Sequence, residues 1–343
     1  MTPVLVRGDG VAASCCVHLL GQAGIPVAFD RPSRPRLPAI MLSEAAISLI
    51  ADVFAHKDLF RDLPRIRSRA VLWGSDAAVT LPHSAVVVSE QTLLDHIRPH
   101  TASAPLGEEL AVEPAWQVFA SRPLPPASVE ERFGTRIARA WAVELRNGTG
   151  PGCWTESLDA GWLFLIASGD GAGWLLSVGG AADAVLGRSR LIAKQIERLG
   201  ESGGEFPAFP RMIAPLCGRG GGTGPEVRPW LACGTAAMAF DPICGDGTAH
   251  AVREAILAAA VIRAISTGAP ADEVFAHYES RLTAGFQRHL VNCMDFYRSG
   301  GDGPWWVAER NELERGVAWC ASRMSQFPAF RYRLNGFELE AVA

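Results

Sequence analysis

No apolar run in the sequence approaches the roughly 20 residues that a bilayer crossing needs. The most apolar helical stretch, residues 255–262, is bracketed by Arg253 and Arg263, so a membrane span is not expected. Charge of one sign is equally scarce: 32 basic residues face 36 acidic ones for a net −4, which leaves no broad basic surface for nucleic acid. The N-terminus shows no basic region, long apolar core or small-residue cleavage site, so a secretory leader is not expected. Eight cysteines include the adjacent Cys15 and Cys16 but no C-x-x-C pair. That spacing fits neither a zinc site nor a disulfide framework, and the expectation is reduced thiols, no metal and a cytoplasmic setting. Lysine is down to two residues, Lys57 and Lys194.

What is present is the balance of a globular chain, 48% hydrophobic and 20% charged, which excludes general disorder. At roughly 150 residues per domain, 343 residues suggest two domains, or two with an appendage.

The most specific local pattern stands at the start. Val4-Leu5-Val6 reads as a short buried strand, followed by Gly8-Asp9-Gly10-Val11-Ala12-Ala13, an apolar helix over 15–23, and a second strand over 26–29 that ends at Asp30. G-x-G-x-x-A between strand and helix, with an acid about 20 residues on, is the dinucleotide fingerprint. Gly8 allows the tight turn, Gly10 lets the backbone approach a pyrophosphate, and Ala13 keeps the helix close to the strand. Asp30 would accept from ribose hydroxyls, with Arg31 beside it. The pattern does not separate NAD from FAD.

A second glycine segment follows the short strand Trp230-Leu231-Ala232-Cys233: Gly234-Thr235-Ala236-Ala237, then Asp241-Pro242 and Gly245-Asp246-Gly247-Thr248 before a long helix to about residue 265. Bare amides at that helix start can stabilise an electron-rich ring. The segment resembles the second FAD-binding motif of flavoprotein monooxygenases and flavin-dependent halogenases. The resemblance implies FAD as cofactor and NAD(P)H as reductant. It implies Gly8, Gly10, Ala13, Asp30 and Arg31 at the ADP part, Gly234 and Thr235 at the ribityl chain, and Asp241, Pro242, Gly245, Gly247 and Thr248 around the isoalloxazine. Thr235 stands where the family carries an aspartate, which forfeits charge assistance. In residues 116–122, Phe119 likewise replaces an acid.

Strands are expected at 70–73, 78–81, 85–88 and through 133–178, a helix at 91–97, and an amphipathic helix over 181–199. The fold class implied is α/β: a Rossmann-like FAD-binding domain of the glutathione-reductase type, an inserted antiparallel β-sheet substrate domain, and a helical C-terminal segment. The boundaries are 1–72 with 89–125 and 226–268 for the first, 73–88 with 126–225 for the second, and 269–343 for the third.

Trp162-Leu163-Phe164-Leu165-Ile166-Ala167 resembles the halogenase motif W-x-W-x-I-P, yet the lysine those enzymes need beside the flavin has no counterpart. Lys57 lies in a charged helix end and Lys194 on the expected 181–199 helix. Halogenation is therefore disfavoured, and direct oxygen transfer needs no such lysine. Trp162 and Phe164 share one side of their strand and read either as core or as an aromatic wall for a planar substrate. Trp305 and Trp306, after Gly303-Pro304, read as a hydrophobic plug or as a contact to substrate or partner. Asp246 and His250 are the titratable groups nearest the expected flavin edge, as proton carriers or as a helix cap and a core histidine.

Several stretches together, among them 38–43, 82–90, the Trp162 strand, 241–250 and 303–306, are similar to the flavoproteins that accompany tryptophylquinone-containing amine dehydrogenases and amino-acid oxidases. That similarity implies O2-dependent hydroxylation of a tryptophan on a precursor oxidase or dehydrogenase polypeptide. The alternatives are a flavin-binding maturation chaperone without oxygenation, and a halogenase or reductase of a small molecule.

Overall fold

The computed structural model describes residues 3–74, 77–98, 114–125, 128–167, 169–180, 186–220 and 228–342. β1 (Val4–Arg7) leaves Val4 and Val6 with no exposure and turns into α1 (Val11–Gln22), whose Ala12, Ala13, Ser14, Cys15 and Cys16 are all buried. These small side chains let α1 lie close on its strand. β2 (Val27–Asp30) pairs in parallel with β1, Val4 opposite Val27 and Arg7 opposite Asp30.

Next come β3 (Ile40–Ser43), α2 (Glu44–Phe54), β4 (Arg65–Leu72), β5 (Val79–Val88), α3 (Glu90–Ile97) and β6 (Trp116–Phe119). The middle of the chain supplies β7 (Val129–Arg132), β8 (Ile137–Leu145), β9 (Gly152–Leu158), β10 (Gly161–Ala167) and β11 (Ala172–Val178). It continues as β12 (Ile196–Pro207), β13 (Arg211–Ala214), β14 (Cys217–Gly218) and β15 (Trp230–Ala232). Then follow α4 (Gly234–Ala237), β16 (Met238–Ala239), α5 (Gly247–Ser266), α6 (Ala271–Gly300) and α7 (Pro304–Met324), with a closing hairpin of Tyr332–Asn335 and Glu338–Ala341.

Among the described residues the strands form two principal sheets. The first has the order β14-β15-β6-β1-β2, and its β15, β6, β1 and β2 run parallel. The second has eight strands in the order β12-β8-β11-β10-β9-β4-β5-β3, antiparallel apart from the β4–β9 pair. α5 packs on α1, where Cys16 Sγ lies 3.7 Å from the Ala255 carbonyl oxygen. The architecture is a mixed α/β fold with one large sheet and a helical C-terminal region.

Three sequence expectations change. Sheet membership cuts across the expected 1–72 segment, because β3 and β4 belong to the large sheet. The helix expected over 181–199 does not continue past Leu186 (181–185 lie outside the described residues). Instead a 3-10 turn, Ile192–Lys194, leads into β12. The cause is Glu156, a buried carboxylate that accepts from the amides of Arg190 (2.6 Å) and Ile192 (3.0 Å). It fixes the turn so that Ile192 and Ile196 pack with Leu163 and Leu165. Lys194 is thus on an exposed turn, not on a helix. Trp305 and Trp306 sit in the first turn of α7, where Pro304 takes the opening helical position that proline favours.

Candidate active site

β15, β6, β1 and β2 point the same way, so the turns that leave their carboxyl ends converge. Gly8 and Gly234 have φ of +145° and +56°, a region that side chains disfavour. A Cβ on Gly8 would stand 3.1 Å from Ala120 Cβ and 3.3 Å from Ala13 Cβ. One on Gly234 would stand 2.8 Å from Ala12 Cβ and 3.0 Å from the Ala120 oxygen. Both turns therefore press on Ala120 and the start of α1. The backbone ties them: Gly8 N–H donates to Asp30 O (2.9 Å), Ala120 N–H to Arg7 O (2.7 Å), and Cys233 N–H to Phe119 O (2.9 Å). Gly234 N–H donates to Glu254 Oε2 from α5 at 2.7 Å. Burial pushes the Glu254 carboxyl well above its ordinary range, against the opposing pull of that hydrogen bond.

α1 starts at Gly10 with no side-chain cap, which leaves its first amides bare. The Arg34 Nη2 atom comes within 3.1 Å of where a Gly10 Cβ would be. Arg34 pairs with Asp9 at 2.8 Å and also with Glu90, and Arg36 meets Asp9 at 2.9 Å. Two guanidiniums thus stand at this helix start, balanced by two buried acids. Asp30 is largely exposed and lies 3.5 Å from Arg7 Nε, while Arg31 lies over the Phe29 ring at 4.1 Å.

α5 starts in the same uncapped way. Asp246 occupies the capping position without bonding the first turn. Its Oδ2 accepts instead from Arg253 Nη1 at 2.8 Å and lies 3.8 Å from His250 Nε2. A Cβ on Gly245 or Gly247 would meet nothing within 4 Å. Thr248 is half-buried and Thr235 exposed, with Thr235 Oγ1 3.5 Å from the Ala120 oxygen. His250 stacks on Phe240, ring centroids 4.1 Å apart. Burial lowers its pKa to about 4 despite the opposing charge of Asp246. Both expected acid–base candidates thus stand at the start of α5, Asp246 paired with Arg253 and His250 stacked on Phe240.

Beneath the α5 turn lies a buried polar network that connects residues far apart in sequence. Asp241 Oδ2 accepts from Arg136 Nε (2.7 Å) and Tyr297 OH (2.9 Å), and its Oδ1 accepts from Ile243 N–H (2.9 Å). Arg136 also binds Glu309, and its guanidinium lies 4.8 Å from the Tyr297 ring centroid. Burial alone would lower the Arg136 pKa, but Tyr297, Asp241 and Glu309 outweigh it and raise it. Asp241 thus holds the loop from below through Pro242, the first residue of a 3-10 turn, and does not face a ligand. Trp162 Nε1–H donates to Tyr297 OH at 3.2 Å and Trp306 Nε1–H to the Leu158 oxygen at 2.8 Å. Both indoles are fully buried, which takes these two expected substrate contacts out of any wall. Phe164 and Trp305 remain half-buried.

On α6, His289 Nε2 accepts from Asp241 N–H at 2.9 Å and lies 3.3 Å from Cys293 Sγ. Cys293 Sγ is in turn 3.7 Å from Cys244 Sγ. The Cys244 thiol is drawn down to about 6 by hydrogen bonding from Cys293, with His289 adding to it against burial. Sequence reasoning missed Arg34, Arg36, Glu90, Arg136, Glu254, His289, Tyr297 and Glu309. The Arg34-Pro35-Arg36 run after the second strand was a usable signal; the others lie on distant elements with no motif around them.

No family model and no curated protein matches the chain. Solved structures do. One is QhpG, a peptidyl tryptophan dihydroxylase essential for tryptophylquinone cofactor biogenesis, 18% identical with a TM-score of 0.71 over 90% of this chain and 78% of that one. A second is CmlS, a flavin-dependent halogenase, 18% identical at 0.71 over 95% and 71%. A third is the myxobacterial chondrochloren halogenase CndH, 16% identical at 0.72 over 96% and 92%. At such identities the similarity is one of fold, and the fold is that of FAD-dependent monooxygenases and halogenases.

Proposed function

We propose that this protein is an FAD-dependent monooxygenase that hydroxylates an indole side chain on a partner polypeptide during quinone cofactor formation. The observation that carries the reading is the meeting of two glycine turns at Ala120, with a bare helix N-terminus beyond each. Such a pair suits a ligand with a diphosphate at one end and an electron-rich ring at the other. The parallel sheet with its helices is then a Rossmann-like domain of residues 1–72, 89–125 and 226–268, less β3 and β4. Residues 73–88 and 126–225 form the substrate domain with those two strands, and residues 269–343 cover both.

In this reading Gly8, Gly10 and Ala13 admit the diphosphate, Arg34 and Arg36 stand beside it, and Asp30 takes the ribose with Arg31 alongside. Gly234 and Thr235 meet the ribityl chain. Pro242, Gly245, Gly247 and Thr248 border the ring, with Asp241 bracing their loop. FAD reduced by NAD(P)H supplies the activation of O2. The amides at the start of α5 stabilise negative charge on the ring edge, and Phe164 and Trp305 offer aromatic surface for a planar side chain. Lys57 and Lys194 are both exposed, and Lys194 lies on the turn that packs on the Leu163–Leu165 face, opposite Trp162 and Phe164. Oxygen transfer is favoured over halogen transfer on that ground. The tryptophan dihydroxylase of the same fold supports the substrate class.

The test is the visible spectrum of the purified chain with FAD, then aeration after reduction in the presence of a tryptophan-bearing precursor. The expected result is a bound flavin spectrum and a peptide heavier by one or two oxygen atoms. Bound flavin that yields peroxide and no heavier peptide would identify a maturation chaperone. A chain that stays colourless at millimolar FAD would overturn the reading.

A further inference from the structure

We propose that Cys244, His289 and Cys293 form a binding site for one zinc-class divalent ion, which staples the loop before α5 to the middle of α6. Their donor atoms, two sulfurs and an imidazole nitrogen, lie within 4.8 Å of one another. A tetrahedral zinc ion, with Zn–S bonds of about 2.3 Å and Zn–N bonds of about 2.1 Å, sets sulfurs about 3.8 Å apart and sulfur and nitrogen about 3.6 Å apart. The corresponding distances here are 3.7 Å from Cys244 Sγ to Cys293 Sγ and 3.3 Å from Cys293 Sγ to His289 Nε2. The donors are already close to two edges of the tetrahedron.

The supporting framework explains the arrangement. His289 and Cys293 are four apart on α6, so they share a face one turn from each other. Cys244 ends the 3-10 turn that Asp241 caps and the Arg136 pair holds. Two thiolates and a neutral imidazole give an uncharged set with a divalent ion, which suits a buried position far better than a lone thiolate. His289 and Cys293 are buried while Cys244 is half-buried, so the ion enters on the Cys244 side and keeps its fourth position there for water. A disulfide would use the two sulfurs alone and leave His289 Nε2 to its bond with Asp241 N–H, whereas an ion draws on all three donors. Binding releases the thiol protons and takes the His289 Nε2 lone pair that now accepts from Asp241 N–H. Occupancy therefore couples this site to the turn that leads into Gly245 and Gly247.

The test is elemental analysis of the full chain, made without a histidine tag and purified without chelator, with and without FAD. The expected result is about one zinc per chain, held through dialysis and independent of flavin. Cys244→Ser should weaken Zn2+ binding by more than the roughly 10–100-fold that loss of a supporting hydrogen bond costs. Cys293→Ser gives a second such variant if the first fails to fold. Cys320→Ser, at a buried cysteine of α7 outside the cluster, should keep the ion. The proposal falls if the wild-type chain neither carries zinc nor binds added Zn2+, or if a folded Cys244→Ser chain retains it. It falls equally if intact-mass analysis shows Cys244 and Cys293 already joined by a disulfide. None of these outcomes depends on whether FAD binds.

Discussion

The glycine-bearing turns that open α1 and α5 do similar geometric work but are held in opposite ways. The Gly8–Ala13 turn is fixed by its neighbours in sequence: two short apolar strands, a helix of small buried residues, and backbone bonds to Asp30 and Ala120. The Asp241–Gly247 turn rests on polar groups brought from three distant parts of the chain: Arg136 before β8, His289 and Tyr297 on α6, and, through Arg136, Glu309 on α7. Apolar packing degrades gradually when trimmed, whereas a buried ion network fails abruptly when one member is lost. The first turn is therefore expected to tolerate change that the second does not.

Arg136→Met breaks that contrast most severely. It leaves Asp241 and Glu309 buried without their cation, and removal of one partner from a buried pair costs about 3–5 kcal/mol. Denaturant unfolding should show a loss of that size, and FAD affinity should drop with it because the Asp241 turn loses its brace. Adding Asp241→Asn and Glu309→Gln to the same chain should restore much of the stability. A loss under about 1 kcal/mol for the single variant would mean that the network is not what holds the turn.

Gly234→Ala comes next, where the two halves touch. The left-handed backbone costs an alanine roughly 1–2 kcal/mol, and the methyl group overpacks against Ala12 and Ala120 for about 1–3 more. A loss of about 2–5 kcal/mol in unfolding free energy is expected. Glu254→Leu attacks the same turn from below by stranding the Gly234 amide, for about 1–3 kcal/mol. If Gly234→Ala proves neutral in unfolding experiments, the close approach of the second turn to α1 is not a packing constraint.

This contrast also explains what could be read from the sequence. The β1–α1–β2 unit was legible because each determinant falls within 27 residues, from Val4 to Asp30, in an order that strand and helix periods dictate. The start of α5 at Gly247 was legible for the same reason, since proline, two glycines and an alanine-rich run are adjacent. Asp241 was singled out, but its role was not, because Arg136 and Glu309 meet it only through the tertiary fold. Residues 187–199 show the same limit: apolar residues at helical spacing were overruled by one distant carboxylate, Glu156. As letters Trp162 and Trp306 read equally as core or as recognition residues, and their burial and spent indole N–H groups identify them as core.

Gly247→Ala is the mildest change and separates stability from binding. Gly247 opens α5 without a left-handed backbone, and a Cβ there meets no atom within 4 Å. An alanine should leave the free chain unharmed or stabilise it by about 0.4–1 kcal/mol, because it narrows the unfolded ensemble. The space its methyl enters is, in the proposed arrangement, the edge of the flavin ring. Titration with FAD should then show weaker binding in a chain that unfolds no sooner than wild type. That pairing cannot come from general destabilisation, which is the reason to make this variant beside Arg136→Met, where stability and affinity fall together. Unchanged FAD affinity in Gly247→Ala would move the ring away from the start of α5 and leave the Gly8 turn as the better supported half of the site.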